Sequence, residues 1–583
     1  MNQTSENIQK SGGPLIFVLE LLLLVGLVAL LTVFVTKSIL LHTAQAQGPD
    51  QSVTDPLAPV QTPTPTPEPT LPPWVIPAEL EAVATEETHP SNLIVETAVE
   101  VDGERVETYT PTREISFGAG EAYTEIQGII GFRGDNYRSG AAYGITTITN
   151  KTLAADWSVN TGTLTAPDGN TWTGSGWTGQ PLIVEWDVET QQNMNLYDWA
   201  KNTPGLKEVI YACMDGYVYF IDLDSGEKTR DPLNIGYTFK GTPALDPRGY
   251  PLLYLGSGYH SGRGTSRAFV VSLIDGEVLY TYGNGDRFAL RDWSMFDASP
   301  LIDAETDTLI HPGENGILYL IHLNSKYDPD AGTVSVDPDE VVKWRYKSTR
   351  NGSQYWLGME DSPVVWNGYI VMADNGGQLM CLDLNTLELV WVQDVLDDTN
   401  CTPVLDVEDG HPYVYISTSF HEGWRSWTQA TIPVWKIDAV TGEIVWQTDY
   451  TCCTESGVSG GVQGTIAVGK GDCADRIFVP VAKTPNVSAG ILAALDKKTG
   501  EKLWEFPTKM YSWSSPVDFY DANGKCYIAY TTFGGYLYIL DGKTGEELAS
   551  LDLGGKVEAS PAVYNDYLVV GQRNCKIQGI KIS

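Results

Sequence analysis

The sequence predicts an all-β ring, an eight-bladed β-propeller whose blades are four-stranded antiparallel sheets, and three observations predict it. A phrase made of an apolar run, an Asp, a Gly turn and a Glu, with a second apolar run behind it, recurs along 221–227, 273–277, 382–391, 437–446, 489–504 and 536–553, with small variations. Apolar β-rich runs on either side of a Gly turn are the sequence form of a hairpin. A small or polar residue followed by Pro and an apolar run marks Pro181, Pro243, Pro300, Pro363, Pro403, Pro516 and Pro561; Ser459-Gly460-Gly461-Val462 stands where one marker is missing, which makes eight units. The eighth unit stops at Ser583 before any outer strand, while 153–161 (LAADWSVNT) reads as an outer strand with no three before it. Joining the two closes the ring and removes the exposed sheet edges that an open row would leave.

The elements ahead of the ring follow in order. Residues 1–13 are a polar tail, and 14–36 a transmembrane helix: Leu15 to Val35 is apolar but for Glu20, Gly26 and Thr32, and these 21 residues suffice to cross a bilayer. A signal cleaved after Ala44-Gln45-Ala46 is the alternative. Lys10 and Lys37 flank the span, so charge hardly sets its direction. The linker, 37–90, decides it better: 48–77 holds ten Pro, a polyproline II composition with a reach of about 90 Å. Such a spacer suits a domain held off the outer face, so the expectation is a single-pass cell-membrane protein with a cytoplasmic amino terminus and an extracytoplasmic propeller.

Residues 91–127 form an acidic lead-in, where 92–101 and 105–109 flank Asp102-Gly103 as one hairpin, packed on the ring or standing as a stalk. The propeller occupies 128–583 and opens on FRGDNYRSG. Arg133-Gly134-Asp135 matches an integrin-binding tripeptide, but a turn into the first strand is the expected reading. The acidic insertion 328–340 reads as a solvated loop in preference to a calcium loop.

A net charge of -37 argues against a nucleic-acid partner, because phosphate backbones are bound by concentrated Lys and Arg. The eight cysteines contain no CxxC pair, which disfavours zinc and thioredoxin-type chemistry. Outside the cytoplasm a disulfide is expected among Cys452, Cys453 and Cys473, paired locally or as a vicinal bridge; buried reduced thiols are the competing reading.

The stretch Ala494-x-Asp496-x-x-Thr499-Gly500-x-x-x-Trp504 resembles the tryptophan-docking repeat of the pyrrolo-quinoline quinone (PQQ)-like propellers, and Asp438 to Trp446 matches most of it. The resemblance covers about 125–583. It implies that Trp391, Trp446 and Trp504 dock neighbouring blades, a role suited to a large flat ring. The family includes quinoprotein alcohol and sugar dehydrogenases, which hold PQQ on a Trp floor with Ca2+ and a catalytic Asp. It also includes non-enzymatic members such as the propeller lipoprotein of the outer-membrane β-barrel assembly machinery. The enzymes' Trp-Tyr-Asp cofactor segment has no counterpart here, while adjacent Cys452-Cys453 resembles a vicinal disulfide that some of them place over the quinone.

Propellers carry function on the loops that enter the inner strands and on those joining strands two and three. The first set offers Trp177, Lys240, Trp293, Phe296, Asp297, Trp356, Glu360, Asp361, Glu455 and Trp513 around the central channel. The second set is enlarged at 256–267, 417–429 and 482–489, and the middle loop adds His421, Trp424, Arg425 and Trp427. Asp297 is the catalytic carboxylate if the chain is an enzyme; a turn cap is its simpler role. The functional expectation is a non-catalytic binding or scaffold module with a protein or cell-envelope polymer partner, no predicted cofactor and no metal. The alternatives are a membrane-anchored quinoprotein dehydrogenase, which alone brings PQQ and Ca2+, and a cell-wall glycan-binding module.

Overall fold

The computed structural model describes residues 72–583, apart from 177–178, 261, 263, 351–355, 421–427 and 456–458. The tail, the expected transmembrane helix and most of the Pro-rich linker lie outside the described residues, within which no helix is long and apolar enough to cross a membrane.

Eight sheets follow one another in chain order. Blade 1 runs from Leu182–Glu185 at the centre through Lys207–Ala212 and Tyr217–Asp222 to Leu233–Asn234; blade 2 from Ala244–Leu245 to Val278–Tyr282; blade 3 from Leu301–Asp303 to Glu340–Ser348. Blade 4 runs from Val364–Trp366 to Leu389–Asp394, blade 5 from Val404–Glu408 to Ile444–Cys453, and blade 7 from Val517–Tyr520 to Glu547–Asp552. Blade 6, where the Pro marker is missing, has the two-residue inner strand Ala467–Val468 before Arg476–Ala482, Gly490–Asp496 and Lys502–Thr508. Blade 8 takes Ala562–Tyr564, Tyr567–Gln572 and Lys576–Ile582 from the carboxyl end, and Leu153–Asn160 completes it in an antiparallel register from Ile582↔Leu153 to Lys576↔Asn160. The termini of the ring thus close each other.

The lead-in hairpin, Ile94–Val101 with Glu104–Val106, extends blade 3 outward by pairing with Glu340–Ser348. The acidic insertion folds into a small hairpin, Lys326–Asp328 with Thr333–Ser335, tied to a short helix by bonds from Asn193 to the Pro329 carbonyl and from the Tyr327 hydroxyl to Thr190.

Adjacent blades dock through tryptophan, and the repeat supplies both halves of the contact. In the turn after the third strand, Asp496 Oδ1 accepts from the amides of Lys498 and Thr499, and Gly500 takes φ +72°, which favours glycine. Asp438 and Asp541 repeat the pattern. The ring of the preceding blade lies directly on that glycine: a Cβ at Gly442, Gly500 or Gly545 would sit 2.7 Å from Trp391, Trp446 or Trp504. Each indole N–H then donates into the same turn, Trp391 to Ala439 O, Trp446 to Lys497 O and Trp504 to Gly542 O. Trp157 does the same from blade 8 to blade 1, over Gly226 and onto Leu223 O.

The segment FRGDNYRSG is not a simple turn. With Ile130 just ahead of it, it threads the channel and bonds the inner strands: Leu245 donates to Ile130 O, Val365 to Asn136 O and Leu405 to Tyr137 O. Arg138, 1% exposed, donates to the carbonyls of Pro363, Phe132 and Ser299, and Arg133, equally buried, reaches Pro516 O and lies 3.6 Å from Asp518. Asp135 Oδ1 caps the amides of Tyr137 and Ser139. The Arg-Gly-Asp tripeptide is therefore an internal plug, closed to a receptor.

Candidate functional site

The channel mouth gathers residues from the loops that enter blades 2, 3 and 4. Lys240 Nζ pairs with Asp297, both nearly buried. One ligand oxygen each from Asp297, Glu314 and Glu360 lies within 4.8 Å of the others. Burial pushes the Asp297 carboxyl up to about 6 against the pull of Lys240. Burial raises Glu314 further, and the negative charges of Asp297 and Glu360 add to it. Asp361 is raised by burial too, despite a bond from Thr399. Burial alone would discharge Lys240, but Asp297, Glu314 and Glu360 hold it charged above its ordinary range. Four carboxyls around the Lys240 ammonium and the Arg291 guanidinium leave the mouth short of positive charge, so it either retains protons at neutral pH or takes up a cation.

The polar frame is asymmetric. Asn375 donates to Glu360 and Asp398 and accepts from Arg291, which also donates to Glu314 O. Among the described residues, Asp297 Oδ1, Glu314 Oε1 and Asp361 Oδ2 are buried and accept no hydrogen bond. A cavity lined by Asp297, Glu360, Asp361, Asn400 and the plug's Phe132 has a free volume of about 20 Å³, the room of one water or ion. At the rim, Trp293 is 37% exposed, donates to Glu314 Oε2 at 2.6 Å, and continues an aromatic row with Tyr259 and Trp172.

Trp356 is half-buried ahead of blade 4. Trp513 is buried against Tyr511 and Phe533, beside the Lys483–Glu455 ion pair, and Phe296 is buried against His311. Trp177, His421, Trp424, Arg425 and Trp427 lie outside the described residues. Glu314 and Asn375 carry no sequence signal, since both stand in ordinary-length turns joining strands two and three, immediately before or within an Asn-Gly step.

The expected grouping of Cys452, Cys453 and Cys473 does not form. Cys452 and Cys453 are consecutive in one regular strand, opposite Ala430 and Gln429, so their side chains face opposite ways. Cys452 is buried among blade 5 and 6 residues, whereas Cys473 is buried beside Cys526 at the next boundary. No S–S bond joins Cys452, Cys453 and Cys473 in the structure.

A family model described as outer membrane protein assembly factor BamB matches residues 330–476 and 488–582, the arc of regular docking repeats. The outer membrane protein assembly factor BamB of Kangiella koreensis is 23% identical over 214 residues, 36% of this chain. The match spans about half of that relative, 47% of its length. Among solved structures, BamB from Moraxella catarrhalis aligns over 74% of this chain and 97% of its own, at 16% identity and a TM-score of 0.43. Quinohemoprotein alcohol dehydrogenase ADHIIG from Pseudomonas putida HK5 aligns over 78% and 80%, at 11% identity and a TM-score of 0.47. Residues 330–476 and 488–582 thus carry the similarity of this chain to PQQ-like, BamB-type β-propellers.

Proposed function

We propose that this propeller is a non-catalytic binding module, held outside the cell membrane by the apolar span 14–36, which engages a protein partner through the loop face around the acidic mouth. The observation that carries the reading is the mouth itself: buried carboxylate oxygens without donors, rimmed by the exposed Trp293, above a channel that the plug has filled. The negative charge of the mouth attracts a basic partner surface, and the rim aromatics supply contact area. The Pro-rich linker gives the module its reach, and the similarity to BamB proteins supports a cell-envelope setting.

The quinoprotein dehydrogenase is a second reading, favoured by the convergence of Asp297, Glu314 and Glu360. These oxygen donors fit a hard cation such as calcium. The cavity beside them, about 20 Å³ among the described residues, does not fit a tricyclic quinone, so no catalytic step is derived from Asp297. The glycan-binding reading rests on Trp424 and Trp427.

Crosslinking of the full-length protein in its native membrane, followed by affinity purification, tests the proposal. A protein adduct that Glu314→Gln and Trp293→Ala both diminish is expected. Stoichiometric PQQ uptake in calcium, with dye-linked oxidation of an alcohol or sugar, contradicts it.

A further inference from the structure

Cys473 and Cys526 belong to different blades and meet. Cys473 closes the short 3-10 turn Gly471–Cys473, between the inner and second strands of blade 6, and Cys526 opens the second strand of blade 7, Cys526–Thr531. Their exposures are 0% and 1%. The backbones are pinned together: Asp472 N donates to Gly524 O at 2.9 Å, and Cys526 N donates to Asp472 Oδ1 at 2.8 Å. Both sulfurs converge on Gly542, where a Cβ would stand 2.7 Å from Cys526 Sγ and 3.0 Å from Cys473 Sγ.

Gly542 supplies a second, independent sign. Its carbonyl accepts the Trp504 indole, a place held by Leu223, Ala439 and Lys497 at the other tryptophan-docked boundaries. Side chains are accommodated at those three positions. At 542 the sulfur pair fills the space that a side chain would need.

We propose that Cys473 and Cys526 form a disulfide that staples blade 6 to blade 7. Thiolate attack on a disulfide oxidant gives a mixed disulfide, and the second thiolate displaces it; two protons and two electrons leave the pair, and the oxidant departs as two thiols. Burial of both sulfurs shields them in the folded ring, so the exchange accompanies docking of the two blades. The pairing follows from the fold and stands apart from the binding role proposed above, while its oxidation rests on the extracytoplasmic setting proposed there.

The test is to refold the full-length protein from denaturant in a buffer of oxidised and reduced glutathione, alkylate the remaining thiols, digest without reduction, and map the links by mass spectrometry. The expected result is a peptide joining 473 to 526, with the other six of the eight cysteines alkylated. Refolding of Cys526→Ser should yield no linked peptide. Full alkylation of all eight cysteines in the refolded wild type, or a link that joins either residue elsewhere, overturns the proposal.

Discussion

The boundary between blades 4 and 5 and that between blades 1 and 2 solve one packing problem with opposite chemistry. At the first, Trp391 lies wholly buried on Gly442 and donates to Ala439 O. At the second, the turn carbonyl is taken by a guanidinium in place of an indole: Arg230 donates to Leu273 O, the corresponding turn carbonyl of blade 2, and a Cβ at Gly276 would stand 3.4 Å from Leu233 Cδ1. The guanidinium must then be neutralised in the interior, and Glu208, fully buried, takes it at 2.7 Å while accepting from Trp186 and Thr229. The next boundary continues in polar style, with Arg248 on Asp307 and the Tyr282 hydroxyl on His311. The boundary between blades 4 and 5 is held by apolar area and a neutral hydrogen bond, those from blade 1 to blade 3 by ion pairs and a titratable group. The two kinds of boundary should respond differently to truncation, pH and salt.

The largest effect is expected at the apolar boundary: Trp391→Ala removes a fully buried indole and should cost about 4 kcal/mol in denaturant unfolding, nearly independent of pH and salt. Glu208→Gln strands Arg230 without its counter-charge and should cost about 3 kcal/mol; a loss below about 1 kcal/mol would erase the contrast between the boundaries.

His311 gives the polar boundaries a pH signature. Burial depresses its pKa from 6.5 to about 4, while Ala298 O holds one ring nitrogen. The folded state resists protonation, so this contribution is complete above pH 6.5 and is lost as the pH falls toward 4; it amounts to about 3 kcal/mol. Asp297 and Asp374, raised to about 6 by burial, run the other way, since their contribution is present below the carboxylate's ordinary value and lost as the pH rises through 6. The difference between wild type and His311→Gln, measured from pH 7 to pH 4, isolates the histidine and should shrink as the pH falls. The smallest effect belongs to the partly exposed Arg248–Asp307 pair: Asp307→Asn should cost about 1 kcal/mol at low salt and less in 1 M salt.

The docking tryptophans were legible because they recur at a fixed distance from a Thr-Gly turn, and their partner glycines belong to the same phrase. Trp157 escaped the docking assignment because its blade is split between the chain ends, so no turn precedes it. Arg230 escaped because the phrase of blade 1 lacks a second apolar run, and nothing local marks an arginine as a substitute for an indole. The closure by 153–160 was readable from an outer strand missing at one end and surplus at the other. The plug was not readable: Gly, Ser, Asn and Arg spell a turn locally, and its hydrogen-bond partners stand from 161 to 383 residues away in the cases of Arg138 with Ser299 and Arg133 with Pro516. At the mouth, Lys240, Asp297, Glu360 and Asp361 could be named from their place ahead of inner strands. Glu314 could not, because only the closed ring brings its turn against them.

The central claim, that the acidic mouth is where this propeller meets a protein, is tested most directly by a photo-crosslinking residue placed at Trp293 in the full-length chain, with Ile444, exposed on the outer strand of blade 5, as the control. A defined protein adduct from position 293, absent from 444 and diminished by Glu314→Gln, is the predicted result. An equal adduct pattern from both positions, or none from 293 while 444 crosslinks, would contradict it.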